Sequence, residues 1–339
     1  MSLKKKFFLL LIIFSVFFIL KHTEFVSEKY IDILALFLLS IIILKIQPLI
    51  HLRFLFIELF FRTITINAYM FTRFGMLTHF NLGDDLNWFL IKKIQPFQVS
   101  LLNKSILSRL PFYKKENFLI IGSTISFLTN ERTVIWGAGA MDDKSPLCAK
   151  PKKVCAVRGP LTRNYLLKNG VNCPPIYGDP ALLTKFFYRP RIGKKYKLGI
   201  IPHYVDYYSE KFKELKKDPE VLFIKMHHYK NIATVLDQIV SCEKIISSSL
   251  HGLILSETYD VPNIWIKVSN NISGGNFKYM DYYESIGIYN AKPYLFTGKE
   301  SLKELIHLFN NYKKGHIDLN PLIKAAPFEL NLKKENLEV

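Results

Sequence analysis

The sequence predicts an α/β fold in which two successive parallel-sheet lobes face a cleft, behind a hydrophobic helical segment that anchors the chain in a membrane. Three features predict it. Short apolar runs alternate with helix-length segments from about residue 118 onward, the alternation restarts after a basic stretch at 184–197, and much of the apolar excess lies in the first 75 residues. The implied division is an anchor with an interfacial helix at 1–75, a first lobe at 76–190, and a second lobe with a tail helix at 191–339.

The anchor is read from two apolar runs. Lys4, Lys5 and Lys6 precede the run 7–20, broken only by Ser15, and a polar stretch separates it from the run 31–46, which holds Asp32, Ser40 and Lys45. Each is shorter than the roughly 20 residues of a comfortable span, so tilting or a shallow hairpin is expected. Lys21 and His22 follow Leu20, which is no small-residue cleavage site of a signal peptide. Basic residues before the first run and at Lys45, Arg53, Arg62 and Arg73 after the second place both ends in the cytoplasm. The aromatic stretch 52–74 reads as an interfacial amphipathic helix or an extra buried one. The expected location is the inner membrane, with the catalytic part facing the cytoplasm.

Within the first lobe the candidate strands are 118–122, 133–137, 153–157 and 176–178. Gly159-Pro160 opens a helix that stops at Gly170, with Pro near the start and Gly past the end. The segment 184–197, with Arg189-Pro190-Arg191 and Gly193, reads as a linker. The second lobe repeats the pattern with strands 198–202, 221–226, 244–248 and 263–268 and helices near 207–217, 232–242 and 250–259. Strands separated by such helices form right-handed crossovers, hence two Rossmann-like lobes with ligand at the carboxyl ends of the strands. A tail helix is expected over 302–312.

The formal net charge is +18, but Lys and Arg are spread along the chain and no helix-turn-helix, zinc-finger or RNA-binding signature is present. Anionic lipid is therefore the expected partner, and nucleic acid is not. With 22% charged residues and no low-complexity tract, disorder is excluded. The four cysteines, Cys148, Cys155, Cys173 and Cys242, form no CxxC pair and no zinc spacing; they read as buried reduced thiols, and no metal is assigned.

Chemistry concentrates at strand ends. Ser247-Ser248-Ser249-Leu250-His251-Gly252 ends a strand in three hydroxyls and starts a helix whose first turn offers N–H groups to a phosphate or carboxylate. Leu250, Leu253, Ile254 and Val261 form its buried side, leaving His251 on the flank as a general acid. Alone, the segment fits a capped helix with a packed histidine at least as well. Arg158, in Ala156-Val157-Arg158-Gly159-Pro160, offers a planar fork to a carboxylate or phosphate, or is a loop arginine at the surface. Gly137-Ala138-Gly139 is a weak sign of phosphate approach. Asn81-Leu82-Gly83-Asp84-Asp85-Leu86-Asn87 and Tyr177-Gly178-Asp179-Pro180 carry carboxylates in contexts that turns also explain. His203 ends another strand; His227-His228 has no partner at ligand spacing.

Taken in order, these stretches resemble the polysaccharide pyruvyl transferase family. The resemblance runs from Asn81 to Val268, and its most specific part is SSSLHGLILSETYDVPNIWI, from Ser247 to Ile266. It implies two facing lobes in the GT-B manner, phosphoenolpyruvate as donor, and a cyclic ketal on two hydroxyls of one sugar in a lipid-linked precursor of a capsule or exopolysaccharide. No cofactor is implied. By resemblance Arg158 binds the donor's carboxylate or phosphate and His251 is the acid near its methylene carbon. Donor contacts are expected from Ser247, Ser248, Ser249, Gly137, Gly139 and His203, acceptor contacts from Asp84 and Asn87, and base catalysis from Asp85 or Asp179. Some members carry Arg two residues before the histidine, where this chain has Ser249; the serines, Lys225 or His203 are the expected substitutes. Two other readings are a GT-B glycosyltransferase using a nucleotide sugar, for which Glu257 is available, and a non-catalytic scaffold of a polysaccharide assembly complex.

Overall fold

The computed structural model describes residues 50–331 apart from residue 62 and the stretches 69–71, 74–75, 78–80, 95–97, 106 and 111–113. The two apolar runs at 7–20 and 31–46 lie outside the described residues. Among those described, no helix is long and apolar enough to cross a membrane.

Helix α1 (Ile50–Phe60) leads into strand β1 (Thr63–Ile66), whose four side chains are all buried. The segment 52–74, expected as an interfacial amphipathic helix or an extra buried one, is therefore split. Alternating β-branched residues Thr63-Ile64-Thr65-Ile66 suit a strand buried on both faces, so part of the expected anchor region lies inside the first sheet. A two-residue pair, β2 (Thr72–Arg73) and β3 (Met76–Leu77), precedes helix α2 (Leu82–Ile94) and strand β4 (Gln98–Leu101). Then follow β5 (Asn117–Leu119), the short α3 (Ile125–Leu128), β6 (Thr133–Trp136), β7 (Lys153–Ala156) and α4 (Pro160–Lys168). The expected strand at 176–178 is only an isolated bridge between Val157 and Tyr177.

Pro180–Phe186 forms a 3-10 helix, with Asp179 accepting from the Ala181 N–H, so the linker is shorter than the sequence suggested. Strand β8 (Tyr196–Ile201) opens the second half, followed by β9 (Val221–Phe223), α5 (Ile232–Val240), β10 (Cys242–Ser247), α6 (Leu250–Thr258), β11 (Asn263–Lys267), α7 (Phe277–Ser285), β12 (Tyr294–Leu295), α8 (Leu302–His307) and α9 (Asn320–Lys324). Segment 207–217, expected as an α-helix, is two 3-10 turns, Glu210–Phe212 and Leu215–Lys217; their three-residue spacing still buries Phe212 and Leu215. Cys155, Cys173 and Cys242 are buried free thiols, whereas Cys148 is exposed.

The two sheets are wound alike. The first has the order β4-β1-β5-β6-β7 and the second β12-β11-β10-β8-β9, with every pairing parallel. In each, the chain starts on an inner strand, steps out to one edge, then crosses back past its start and continues to the other edge. The reversal creates a crevice at the carboxyl ends, between β1 and β5 in one lobe and between β8 and β10 in the other.

Two connections tie the halves together. Helix α7 lies on α4, and its Asp281 enters the first lobe. The tail also returns there: Trp136 Nε1 donates to the Leu322 carbonyl at 2.8 Å, and Phe328 packs edge-on to Trp136 and Phe118.

Candidate functional site

The two crevices open into one shared cavity of about 250 Å³. The first lobe supplies the start of α2 and the loop after β5; the second supplies the turn after β8, the start of α6, the loop after β11 and one residue of α7.

His251 stands in this cavity because α6 buries Leu250, Leu253, Ile254 and Leu255, which turns position 251 to the flank. Its ring lies against Gly83 of α2: a Cβ added there would sit 2.2 Å from Nδ1. On the other side Nε2 is 3.7 Å from Asp179 Oδ2. That is too long for a hydrogen bond, yet both atoms are buried and neither has a hydrogen-bond partner among the described residues. Asp179 is held by its second oxygen, which accepts from the Ala181 N–H at 2.9 Å.

Asp84 shares the cavity wall with His251. Burial pushes its carboxyl up to about 7, and Asp85 adds to the rise, while His251 and the Asn81 amide, which donates to Oδ2 at 2.7 Å, oppose it. The structure thus separates the acidic pair. Asp85 is buried and accepts from the Tyr229 hydroxyl of the second lobe. Asn87, expected at the acceptor, spends its amide on backbone: Nδ2 donates to the carbonyls of Asp84 and Ile121, and Oδ1 accepts from the Ile121 N–H. It pins α2 to the loop after β5.

The three serines also diverge. Ser247 Oγ closes the strand end, bonded to the Ile201 and Ser249 carbonyls and the Ser249 N–H. Ser248 Oγ accepts from the His203 N–H at 2.9 Å, which joins the ends of β8 and β10. Ser249, the N-cap of α6, makes no capping bond with its side chain and lines the cavity.

Arg158 is not in the cavity. Its side chain is fully buried: Nε donates to Asp281 Oδ2 at 2.9 Å, one terminal nitrogen to Ser123 Oγ at 2.6 Å, and the other to the Ala140 carbonyl at 2.8 Å. The Asp281 carboxylate also accepts from the N–H and hydroxyl of Thr162, in the first turn of α4. An anion seat exists where the sequence placed one, and the chain's own carboxylate fills it. Arg158 reaches the cavity only through Ser123, which lines it. The two loop glycines serve packing: a Cβ at Gly139 would meet the Arg158 guanidinium at 2.2 Å, and one at Gly137 the Pro180 ring at 2.1 Å.

The sequence reading missed Lys278. It is 7% exposed, lines the cavity, and makes no hydrogen bond or ion pair with any described residue; its ammonium lies over the Tyr279 ring. Burial, reinforced by Arg158, pulls it down to about 8. A buried ammonium without a carboxylate is an anion site in waiting. The available signal was the spacing of Tyr279, Tyr282, Tyr283 and Ile286, which marks a helix whose buried stripe brings position 278 inward. His203 lines the same cavity as a neutral ring, pulled down to about 3 by burial, then by Lys278 and His227. Lys225 is exposed and lies over the Tyr207 ring. Glu257 faces away from the cavity and accepts from Asn263, the Tyr312 hydroxyl and the Gly315 N–H.

Comparison with known proteins covers the stretch that carries Asp84, Asp179, His203 and His251 and ends before Lys278. A model of the polysaccharide pyruvyl transferase family matches residues 81–270. The chain is 32% identical over 216 residues to the uncharacterized protein L143 of Acanthamoeba polyphaga mimivirus, covering 61% of this chain and 71% of that one. It is 27% identical over 220 residues to the succinoglycan biosynthesis protein ExoV of Rhizobium meliloti (strain 1021), covering 62% of this chain and 63% of that one.

Proposed function

Because the chain belongs to the polysaccharide pyruvyl transferase family, we propose that it moves a pyruvyl group from phosphoenolpyruvate onto a sugar of a lipid-linked surface-polysaccharide precursor, forming a cyclic ketal. One observation carries this reading: Lys278, a buried residue with no ion-pair partner among the described residues, shares a cavity with His251, whose far nitrogen faces Asp179. A cation able to hold an anion and a side chain able to donate a proton therefore line one cavity.

In this reading Lys278, Ser249 and the first turn of α6 hold the donor's phosphate and carboxylate. His251, with Asp179 behind its far nitrogen, delivers a proton to the methylene carbon. The oxocarbenium-like centre is attacked by one sugar hydroxyl, whose proton passes to Asp84. The C–O bond to phosphate then breaks, and attack by the second hydroxyl closes the ring. Of the two hydroxyl protons, one replaces that given by His251 and the other leaves with phosphate. A carboxyl near 7 is suited to taking a proton at neutral pH. The internal bonding of Glu257 speaks against a ribose contact and hence against a nucleotide-sugar donor.

The test is phosphate release from phosphoenolpyruvate with lipid-linked or simple glycoside acceptors. Absence of release with every acceptor, together with turnover of a nucleotide sugar, would reject the reading. We further propose attachment at the cytoplasmic face of the inner membrane, supported by the apolar runs 7–20 and 31–46 and their basic flanks, with the two lobes in a GT-B-like arrangement. Deleting residues 1–49 is expected to release the protein from membranes in a flotation assay; unchanged flotation would refute attachment through those runs.

A further inference from the structure

We infer that the outward face of α1 lies on a lipid bilayer, with Leu55, Phe56, Leu59, Phe60 and Phe61 entering the boundary between headgroups and acyl chains. This rests on attachment through the runs 7–20 and 31–46 and is independent of the reaction performed.

Helix α1 is apolar on two sides. Its inner side buries Phe54 and Ile57 against the first lobe. Glu58, its one acidic residue, is held to that lobe as well: its two carboxylate oxygens accept from Ser100 Oγ and Ser105 Oγ, each at 2.6 Å. The outer side carries Leu55 and Leu59, and Phe56 and Phe60, each pair one turn apart. Leu59 is 61% exposed, Phe60 68% and Phe61 50%, while Leu55 and Phe56 are half-buried. The rings form one surface: the Phe56 centroid lies 4.8 Å from that of Phe60 and 6.2 Å from that of Phe61. A contiguous apolar face in water marks a partner, and a helix apolar all round belongs to a core or a membrane.

The chain before α1 says which partner. The second apolar run closes at Ile46, and α1 begins at Ile50. Four steps of chain reach about 14 Å at most, so the start of α1 stays within that distance of the run's end. With the run in a bilayer, that reach is not much more than one headgroup layer, roughly 5–8 Å thick. Arg53 and Arg62 bracket the five apolar residues in the sequence, and anionic headgroups attract such a basic flank.

The contact also orients the molecule. Helix α1 packs along β4, the edge strand of the first sheet. The opposite edge is β7, followed by α4, on which α7 of the second lobe sits. Lipid under α1 therefore turns the β4 edge of the first lobe toward the bilayer.

The test places a bimane label at position 60 of the full chain, using Phe60→Cys with the exposed Cys148 changed by Cys148→Ser. The labelled protein is floated with vesicles of phosphatidylethanolamine and phosphatidylglycerol, and a label at the exposed Tyr289 serves as reference. At position 60 the emission should shift to the blue, lose its quenching by iodide and gain quenching by nitroxide-labelled lipid; at position 289 none of these should occur. A second label, through Leu59→Cys, should behave like that at 60. Floated protein whose labels at 59 and 60 stay open to iodide would overturn the contact and leave attachment intact. Labels shielded from iodide yet untouched by lipid nitroxide would show that protein covers α1, either residues 1–49 or a second copy, and would overturn it too. Failure of the full chain to float would reject the contact and the attachment together, with no bearing on phosphate release.

Discussion

Arg158 Nε and Asp281 Oδ2 meet at 2.9 Å with both side chains fully buried, and this pair joins the loop after β7 to helix α7 of the other lobe. A Cβ at Gly159 would strike the Asp281 backbone carbonyl at 1.9 Å, so α7 approaches closely enough to require glycine there. Removing one partner strands the other charge in the interior. Arg158→Met and Asp281→Asn are each expected to cost about 3–5 kcal/mol in denaturant unfolding. Loss of activity without loss of stability in Arg158→Met would instead assign the guanidinium to the donor.

Asp84 titrates in the working pH range. Its folded value, about 7, lies above its ordinary 3.8, so the folded state holds a proton that the unfolded chain releases. That contribution to stability is complete below about 4 and is lost as pH rises through about 7. Asp84→Asn should therefore melt a few degrees higher than the parent at pH 8 and alike at pH 4. Turnover should fall as pH drops below about 7 in the parent, because the protonated carboxyl cannot take the hydroxyl proton. An unchanged acid limb in Asp84→Asn would remove Asp84 from the base role.

His251→Ala should lower kcat by about 10²–10⁴-fold while leaving the melting temperature near the parent's. Gly83→Ala should have a similar kinetic effect with histidine in place, since the added methyl occupies the position of the imidazole. Near-normal kcat in both variants would discard His251 as the acid.

Lys278→Met should raise the KM for phosphoenolpyruvate about 10–100-fold and leave the acceptor KM unchanged. With its ammonium near 8, the parent's donor KM should rise as pH passes about 8, and Lys278→Arg should abolish that rise. A flat donor KM from pH 7 to 9 in the parent would contradict the assignment.

Much of the second lobe was legible in the sequence. Strands at 244–248 and 263–268 and the helix from Leu250 emerged within a residue or two, because apolar runs and Gly or Pro punctuation are local signals. The position of His251 on the cavity side follows from the same logic, since the helical period turns it off the buried face. The strands Thr63–Ile66 and Gln98–Leu101 were not found. Four residues of TITI inside an aromatic, Arg-dotted stretch look like part of a longer apolar helix until a sheet accepts them.

The sequence by itself determined the α/β alternation, the family and the strand ends that carry the candidate site, since these depend on residues near one another in the chain. The tertiary structure decided which of those residues line the shared cavity. Arg158 and Asp281 are 123 positions apart, and only the packing of α7 on α4 fills the arginine's seat with an internal carboxylate. The same packing delivers Lys278 to the cavity floor. Charge in a protein interior is settled by what lies across the fold from it, and no local pattern reports that distance.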